Sequence, residues 1–421
     1  MGRRKTLFTA WLHPATIAPA LLAVAAGFAQ FVATASLADV ADAFGVSGVG
    51  NDEPGLTGTA LGVGLAVIRA GSLAALFLTS RADRSGRRRL ALVCVVTGLL
   101  LTAAAALAPT FWWFVLILAI ARPLLTATNA IAVVVAAEVT KTSQRSRAVA
   151  LVGAAYGLGA GLTVLLRSAS GDLFGFRGLF LVAALPILAV VFVARRLQET
   201  PSFQDLSMET RNAHRLFGPV AVEYRMHLVI LCVLTASAAF VSAPVTTFVF
   251  YFAETFRGLD PAIMAYAVLA AAPIGLVGLL AGRWAADNLG RRISCAVSQA
   301  AVAAGAIVTY NAPGLGVVIG YLAAIFAASV YTPGSGAICA ELFPTSYRSS
   351  AAGWITTSGV LGAVLGLGLF GFLADRFGNY DAASVWIAAP VLLLSLLYLR
   401  LPETKGKELP DTVPGPGQLP I

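Results

Sequence analysis

The chain has 421 residues, 58% of them hydrophobic and only 12% charged, with 29 Lys and Arg against 20 Asp and Glu for a net charge of +9. A soluble domain carries about 25% charged residues, so this composition excludes a soluble globular protein, which would have no surface to show water. The positive excess would suggest nucleic acid in a soluble chain; here the placement of the charges accounts for it, and no nucleic-acid partner is expected.

A helix needs about 20 apolar residues to cross the hydrocarbon, and twelve such stretches follow one another along the chain. The first, 15–38, follows Arg3, Arg4 and Lys5 and contains Ala33-Thr34-Ala35, which imitates a signal peptide and its cleavage site. Cleavage would leave eleven spans, so this span is expected to be retained. Next come 56–78, 90–108, 112–137, 147–169 and 177–196. After a linker come 226–253, 261–282, 293–311, 315–339, 349–373 and 382–400. Thr332-Pro333-Gly334-Ser335-Gly336 should break the tenth span, since Pro lacks the amide donor and Gly loosens a helix. The tail is Pro-rich and expected to be disordered.

The expected fold is an all-α membrane protein with twelve transmembrane helices in two pseudo-symmetric six-helix bundles. Its parts are a cytoplasmic N-terminus (1–14), the first bundle (15–196), a cytoplasmic linker (197–225), the second bundle (226–401) and a cytoplasmic tail (402–421). With the N-terminus inside, all but six of the 29 Lys and Arg are cytoplasmic; Arg177, Arg257 and Arg376 lie outside, and Arg69, Arg122 and Arg167 lie within spans. This positive-inside bias places both ends in the cytoplasm and accounts for most of the net charge. Cys94, Cys232, Cys295 and Cys339 stand far apart in apolar stretches without metal-ligand spacing, as small buried hydrophobes do. No metal is expected.

The two halves repeat each other. Asp83-Arg84-Ser85-Gly86-Arg87-Arg88 recurs as Asp287-Asn288-Leu289-Gly290-Arg291-Arg292, 204 residues on. Glu138 with Arg145 recurs as Glu341 with Arg348, 203 on, and Asp172 as Asp375, again 203 on. Glu199-Thr200 recurs as Glu403-Thr404, 204 on. One register across four features indicates two related halves, an arrangement common in transporters, with the solute site near midplane.

These motifs resemble those of the major facilitator superfamily over essentially the whole chain. The Asp-x-x-Gly-Arg-Arg loop appears after spans 2 and 8. Glu341-Leu342-Phe343-Pro344-Thr345-Ser346-Tyr347-Arg348 is similar to an element of sugar porters and metabolite:proton symporters. Pro402-Glu403-Thr404-Lys405-Gly406 resembles the sugar-porter C-terminal motif. Ile68-Arg69-Ala70-Gly71 and Glu199-Thr200-Pro201-Ser202-Phe203 resemble the metabolite:proton symporter branch. The resemblance implies alternating access, a functional monomer, and a gating role for the cytoplasmic charges: Asp83, Gly86, Arg87, Arg88, Glu138 and Arg145 in one half, and Asp287, Gly290, Arg291, Arg292, Glu341 and Arg348 in the other. These groups would converge at the inner helix ends and hold the inner gate shut in one state. The bland alternative is positive-inside topology and helix capping.

Ionisable groups in the hydrocarbon usually face a cavity. Arg69 stands in span 2, and Arg122, Thr126 and Asn129 share one face of span 4 at i, i+4 and i+7. Gln30 and Thr34 stand at i and i+4 in span 1. Two guanidinium groups without a buried acid suggest an anionic solute. Arg167, near Asp172, is expected to snorkel. In the second half Thr246, Thr247, Tyr251, Tyr266, Gln299, Tyr331, Trp354 and Thr357 are polar or amphipathic groups within spans; Thr247, Tyr251, Tyr266, Tyr331 and Trp354 are the cavity candidates there, against the simpler role of packing between helices.

No acid or histidine stands at midplane, and Gln30 occupies the position where related symporters carry an acid. Asp39, at the outer end of span 1, is the candidate coupling acid if the carrier is proton-coupled. No other cofactor is expected, and no phosphate-binding Gly-x-x-x-x-Gly-Lys loop is present. The expected function is secondary transport of a small organic solute across a bacterial cytoplasmic membrane, in the form of uptake of an organic anion or zwitterionic metabolite. The alternatives are export of a drug or metabolite by the same superfamily, and a membrane sensor that binds solute without flux. An enzyme is not expected, because the spans hold no catalytic acid, histidine or metal cluster.

Overall fold

With no water in the hydrocarbon to serve the backbone, a spanning segment satisfies its peptide groups by closing into a helix, and this Ala-, Leu-, Val- and Gly-rich chain does so throughout. The computed structural model describes residues 14–45, 56–140, 145–170, 175–196 and 222–405, and among them the regular structure is helical. The first half contains α1 (Pro14–Ala35), α2 (Leu37–Phe44), α3 (Gly58–Gly71), α4 (Ala74–Ser85), α5 (Arg87–Ala104), α6 (Phe111–Val139), α7 (Arg145–Ser170), α8 (Gly175–Val182) and α9 (Pro186–Arg196). The second contains α10 (Val222–Tyr251), α11 (Pro261–Asn288), α12 (Arg291–Asn311), α13 (Gly316–Glu341), α14 (Thr345–Phe377) and α15 (Tyr380–Leu394). Eleven stretches among the described residues are long and apolar enough to cross a bilayer, and Gly175–Val190 is a shorter twelfth. A three-residue turn at 183–185 lies within it, closed by Ala183 N–H donating to the Phe180 carbonyl at 3.1 Å, with Pro186 opening α9. The expected twelve-helix fold is the one observed.

The chain forms two units: residues 1–55 with 67–214, and residues 56–66 with 215–421. The stretch 56–66, expected in the first bundle, therefore clusters with the second unit.

In unit 1, α1 lies against α7 at backbone distance. A Cβ on Gly27 would stand 2.1 Å from the Tyr156 carbonyl oxygen, and one on Gly159 would stand 2.1 Å from that of Val24. Small residues at such crossings replace the hydrophobic drive that lipid cannot supply. The Thr163 hydroxyl donates to the Phe28 carbonyl across the same crossing at 3.1 Å. Around it Leu22, Val95, Leu99, Leu125, Val135 and Val152 form the core.

Unit 2 repeats the device. Gly362, which stands 203 positions after Gly159, would place a Cβ 2.0 Å from the Ala236 carbonyl oxygen, closing α14 onto α10. The same correspondence shows in the backbone: Gly86 and Gly290 precede α5 and α12 with φ of 101° and 103°, a region open to Gly and strained for other residues.

Two expectations change and one stands. The tenth span is not broken at Pro333: α13 runs from Gly316 to Glu341 with Pro333 inside it. The Thr332 hydroxyl bonds the Ala328 carbonyl at 2.9 Å and the Ser335 hydroxyl bonds that of Thr332 at 3.1 Å. In lipid, losing one ladder bond costs less than freeing a whole turn of peptide groups. Gly334 serves packing, since a Cβ there would meet Cys295 Sγ at 2.8 Å. The expected span 56–78 stands as the single apolar stretch Gly58–Arg81, with a tighter two-residue turn between α3 and α4 where Ser72 N–H bonds the Arg69 carbonyl at 3.0 Å. The start of the tail is docked: Thr404 is buried and Glu403 is held by α12. Cys232, Cys295 and Cys339, far apart in sequence, pack into one core of unit 2 with Leu231, Leu234 and Ile338. No group of three metal-ligating side chains occurs among the described residues.

Candidate functional site

At the start of α5 and the start of α12 the repeat becomes geometry. Gly86 starts α5, which brings Arg87 to Glu138 at the end of α6, and the two form an ion pair. In unit 2, Gly290 starts α12 and Arg291 pairs with Glu341 at 2.8 Å. All four side chains are half-buried or deeper, the setting in which removing one partner strands a charge and costs more than the intact pair contributes. Arg88 also reaches the Ala194 carbonyl on α9 at 2.8 Å.

Glu403 completes the second cluster. One carboxylate oxygen accepts from the Arg291 N–H at 2.9 Å and the other from the Arg292 N–H at 3.4 Å, while the Arg292 guanidinium approaches at 3.7 Å. A carboxylate on the first amides of a helix is favoured both by the free N–H groups and by the helix dipole. A Cβ at Gly290 would stand 2.6 Å from that carboxylate, so glycine is required for the approach as well as for the backbone angle. Glu403 was absent from the expected gate residues, although its match to Glu199 in the repeat was the available signal. Asp287 departs from expectation: it is exposed and pairs only with Arg283, one turn back, at 3.8 Å among the described residues, away from the Arg291–Glu341 pair. The side chains of Asp83, Arg145 and Arg348 lie outside those described.

The membrane-buried candidates of unit 1 gather beside α1. Gly71 lets the end of α3 approach α6 until a Cβ there would lie 2.3 Å from the Ala119 carbonyl oxygen, which carries Arg69 toward Arg122. The two guanidinium groups are close enough to repel, and both lie within electrostatic reach of the Tyr156 phenol on α7. Arg122 Nη1 donates to the Gln30 carbonyl at 3.4 Å. The Nε atoms of Arg69 and Arg122 and Oδ1 of Asn129 are buried without a hydrogen-bond partner. No carboxylate pairs with either arginine among the described residues. Thr126 and Thr34 stand half-buried on α6 and α1. On α7, Gly153 and Gly157 share the face of Tyr156, and a Cβ on either would meet nothing within 4 Å. That face borders open space. Tyr156 was not foreseen, because nothing in its span marks which helix stands beside it.

Asp39 does not stand alone. Arg167 grips it with two bonds, Nε to Oδ2 at 2.8 Å and Nη2 to Oδ1 at 2.7 Å. Arg167 was expected to snorkel beside Asp172, a residue outside those described. Asp42, one turn on from Asp39 in α2, has its carboxyl pushed above the ordinary range, first by burial and then by the charge of Asp39.

The second-half candidates separate. Tyr251 is buried in an aromatic cluster with Phe256 and Tyr380, and the Tyr331 hydroxyl shares a 2.6 Å hydrogen bond with that of Tyr398 inside the apolar core. Both side chains pack within the unit. Gln299 is buried too, donating to the Ser237 hydroxyl at 2.9 Å. The Thr246 and Thr357 hydroxyls bond their own helices, at Ser242 and Gly353. Thr247 is half-buried, while Tyr266 and Trp354 are exposed on the unit.

The family model described as Major Facilitator Superfamily matches residues 19–313 and again 258–419. A triacylglyceride transporter of Mycolicibacterium hassiacum is 30% identical over 143 residues, covering 33% of this chain and only 26% of that protein's length. The inward-open xylose transporter XylE of E. coli superposes with a TM-score of 0.74 at 18% identity, over 94% of this chain and 98% of that one. A bacterial homologue of the human lysosomal transporter Spinster, inward-facing and occupied, gives 0.71 at 15% identity, over 91% and 95%. The nucleoside transporter NupG gives 0.68 at 13% identity, over 92% and 99%. At these identities the likeness is one of fold.

Proposed function

Because the chain belongs to the major facilitator superfamily and is a multi-pass membrane transporter rather than an enzyme, we propose that its solute is a small organic anion, or a zwitterion bound through its carboxylate, carried into the cell by alternating access. The observation that carries this reading is the pair Arg69 and Arg122, whose Nε atoms have no partner and beside which no acid stands among the described residues. Arginine keeps its charge in proteins, and two such charges in a low-dielectric bundle are costly until an anion joins them. Tyr156, Gln30 and Asn129 would supply further polar contacts. Uptake is supported by the resemblance of the Glu341–Arg348 and Pro402–Gly406 elements to porters and symporters. The reading includes both termini in the cytoplasm, a cytoplasmic membrane and a working monomer. If transport is proton-coupled, Asp39 is the group to take the proton, since protonation would release Arg167.

A second reading is export of an amphipathic compound, supported by the partial match to a protein named as a triacylglyceride transporter. One panel separates the two. Purified carrier is heated with dicarboxylates, amino acids, sugars, lipids and cationic drugs, since a ligand that binds the folded state raises apparent stability, by about 2.7 kcal/mol at a hundred times its Kd. Stabilisation by carboxylates that is lost in Arg69→Ala and Arg122→Ala supports the anion carrier. Stabilisation only by lipids or drugs, unchanged in both variants, transfers the assignment to export. Flux of the stabilising compound in proteoliposomes excludes the remaining alternative, a sensor that binds without transport.

A further inference from the structure

The start of α3 is capped from the far end of the chain. Gly58 N–H donates to one carboxylate oxygen of Asp375 and Thr59 N–H to the other, each at 2.7 Å, and the Thr59 hydroxyl adds a third bond at 2.5 Å. Asp375 stands 317 residues away, at the end of α14. The Thr57 hydroxyl takes the Ala60 amide at 3.2 Å and the Thr57 carbonyl takes that of Leu61 at 3.1 Å. The first four amides of α3, which a helix leaves open, are thus all bonded, the first two by Asp375 alone. By contrast α11, its counterpart in the repeat, caps itself locally through Asp260, which accepts from Ala262 N–H at 2.7 Å.

Behind the cap, α3 and α14 meet through backbone. A Cβ on Gly371 would lie 2.0 Å from the Gly58 carbonyl oxygen and 3.1 Å from Gly62 Cα, and one on Gly62 would lie 2.6 Å from the Leu367 carbonyl oxygen. At these glycines the two backbones meet with no side chain between them. The segment Leu56–Ala66 belongs by its contacts to unit 2, yet α3 continues directly into residues of unit 1. The hydrogen bonds that cross this face at the start of α3 all end on one carboxylate, where charge and helix dipole reinforce each other.

We propose that Asp375 and the start of α3 form a releasable latch on the side that the charge pattern assigns to the outside. The carboxylate holds α3 against α14 while that side is shut, and lets go when it opens. The latch rests on the chain being a carrier and is independent of what it carries.

Two readouts on the full-length protein in nanodiscs test it without any solute. Hydrogen exchange is followed in the peptide covering 56–66, with the start of α11 as internal reference. Spin labels, introduced as unnatural amino acids at the exposed positions Val63 and Arg376, report the α3–α14 distance. In Asp375→Ala, exchange at the start of α3 should rise about tenfold, the size expected for losing one N-cap, with the reference unchanged. A second, longer distance should gain population by about the same factor. If Asp375→Ala does not fold, Asp375→Asn, which keeps the shape and loses the charge, should give a smaller shift in both readouts. Faster exchange with an unchanged distance distribution would make Asp375 a local cap and overturn the latch. No change in either readout overturns it too.

Discussion

Glu403 reaches the first amides of α12 only because residue 290 has no side chain. Gly290→Ala should therefore meet a strained backbone angle and a clash with the carboxylate together, lowering stability by about 1–3 kcal/mol; thermal unfolding reads the loss. Gly157→Ala, with nothing within 4 Å of its Cβ, should leave the unfolding temperature unchanged, whereas Gly157→Leu should fill the space beside Tyr156 and abolish anion-induced stabilisation. Asp42 supplies a pH test. Its raised carboxyl means that the folded protein keeps a proton which the unfolded chain releases near 3.9. The stability Asp42 contributes is fully present below that value and is lost as pH rises through the folded one; Asp42→Asn should flatten that limb of the pH–stability curve. At this scale sequence reading went unevenly. The Arg122, Thr126 and Asn129 stripe was legible because helix geometry turns spacing into a face. Tyr156 was not, because neighbourhood between spans is decided by packing. Arg167's grip on Asp39 was missed for the same reason, the two being 128 positions apart.

At the scale of elements, hydropathy located the helices, and the one interruption expected, at Pro333, is absent. Pro333 and its glycines would end a helix in water, where a freed carbonyl finds a solvent partner. In hydrocarbon it finds none, and α13 continues. The tighter turn between α3 and α4 carries no proline and directly follows Gly71, which lies against the Ala119 carbonyl. It follows that Pro333→Ala should cost little, since an extra ladder bond offsets any lost fit. Gly334→Ala should cost more, because its Cβ meets Cys295 Sγ at 2.8 Å. Comparing the two unfolding temperatures tests whether Gly334 is a packing contact.

At the scale of the whole molecule, the 203–204 register was legible from sequence and reappears as paired geometry: Arg87 with Glu138, Arg291 with Glu341, Gly159 with Gly362, and two glycines near φ +100°. What the register does not contain is the long-range partner of each member. Glu403 and Asp375 were readable as repeats and unreadable as caps, since a fold sets contacts across 112 and 317 positions. If the Arg87–Glu138 and Arg291–Glu341 ion pairs govern exchange between states, Glu341→Gln should change turnover while leaving the affinity for a stabilising anion within about twofold. The charge reversal Arg291→Glu with Glu341→Arg should restore turnover in part. Equal loss of affinity would instead mark these residues as part of the solute site.

The membership of residues 56–66 in unit 2 has a consequence for how the protein is made. A ribosome adding roughly 5–20 residues per second finishes the start of α3 on the order of 15–60 s before Asp375 exists. Through that interval the Gly58–Gly62 edge has no permanent partner, and a second half synthesised alone would lack the strip that covers Gly371. Fragments divided within 197–221 should therefore assemble when translated together, while the later fragment by itself should be retained by quality control and degraded.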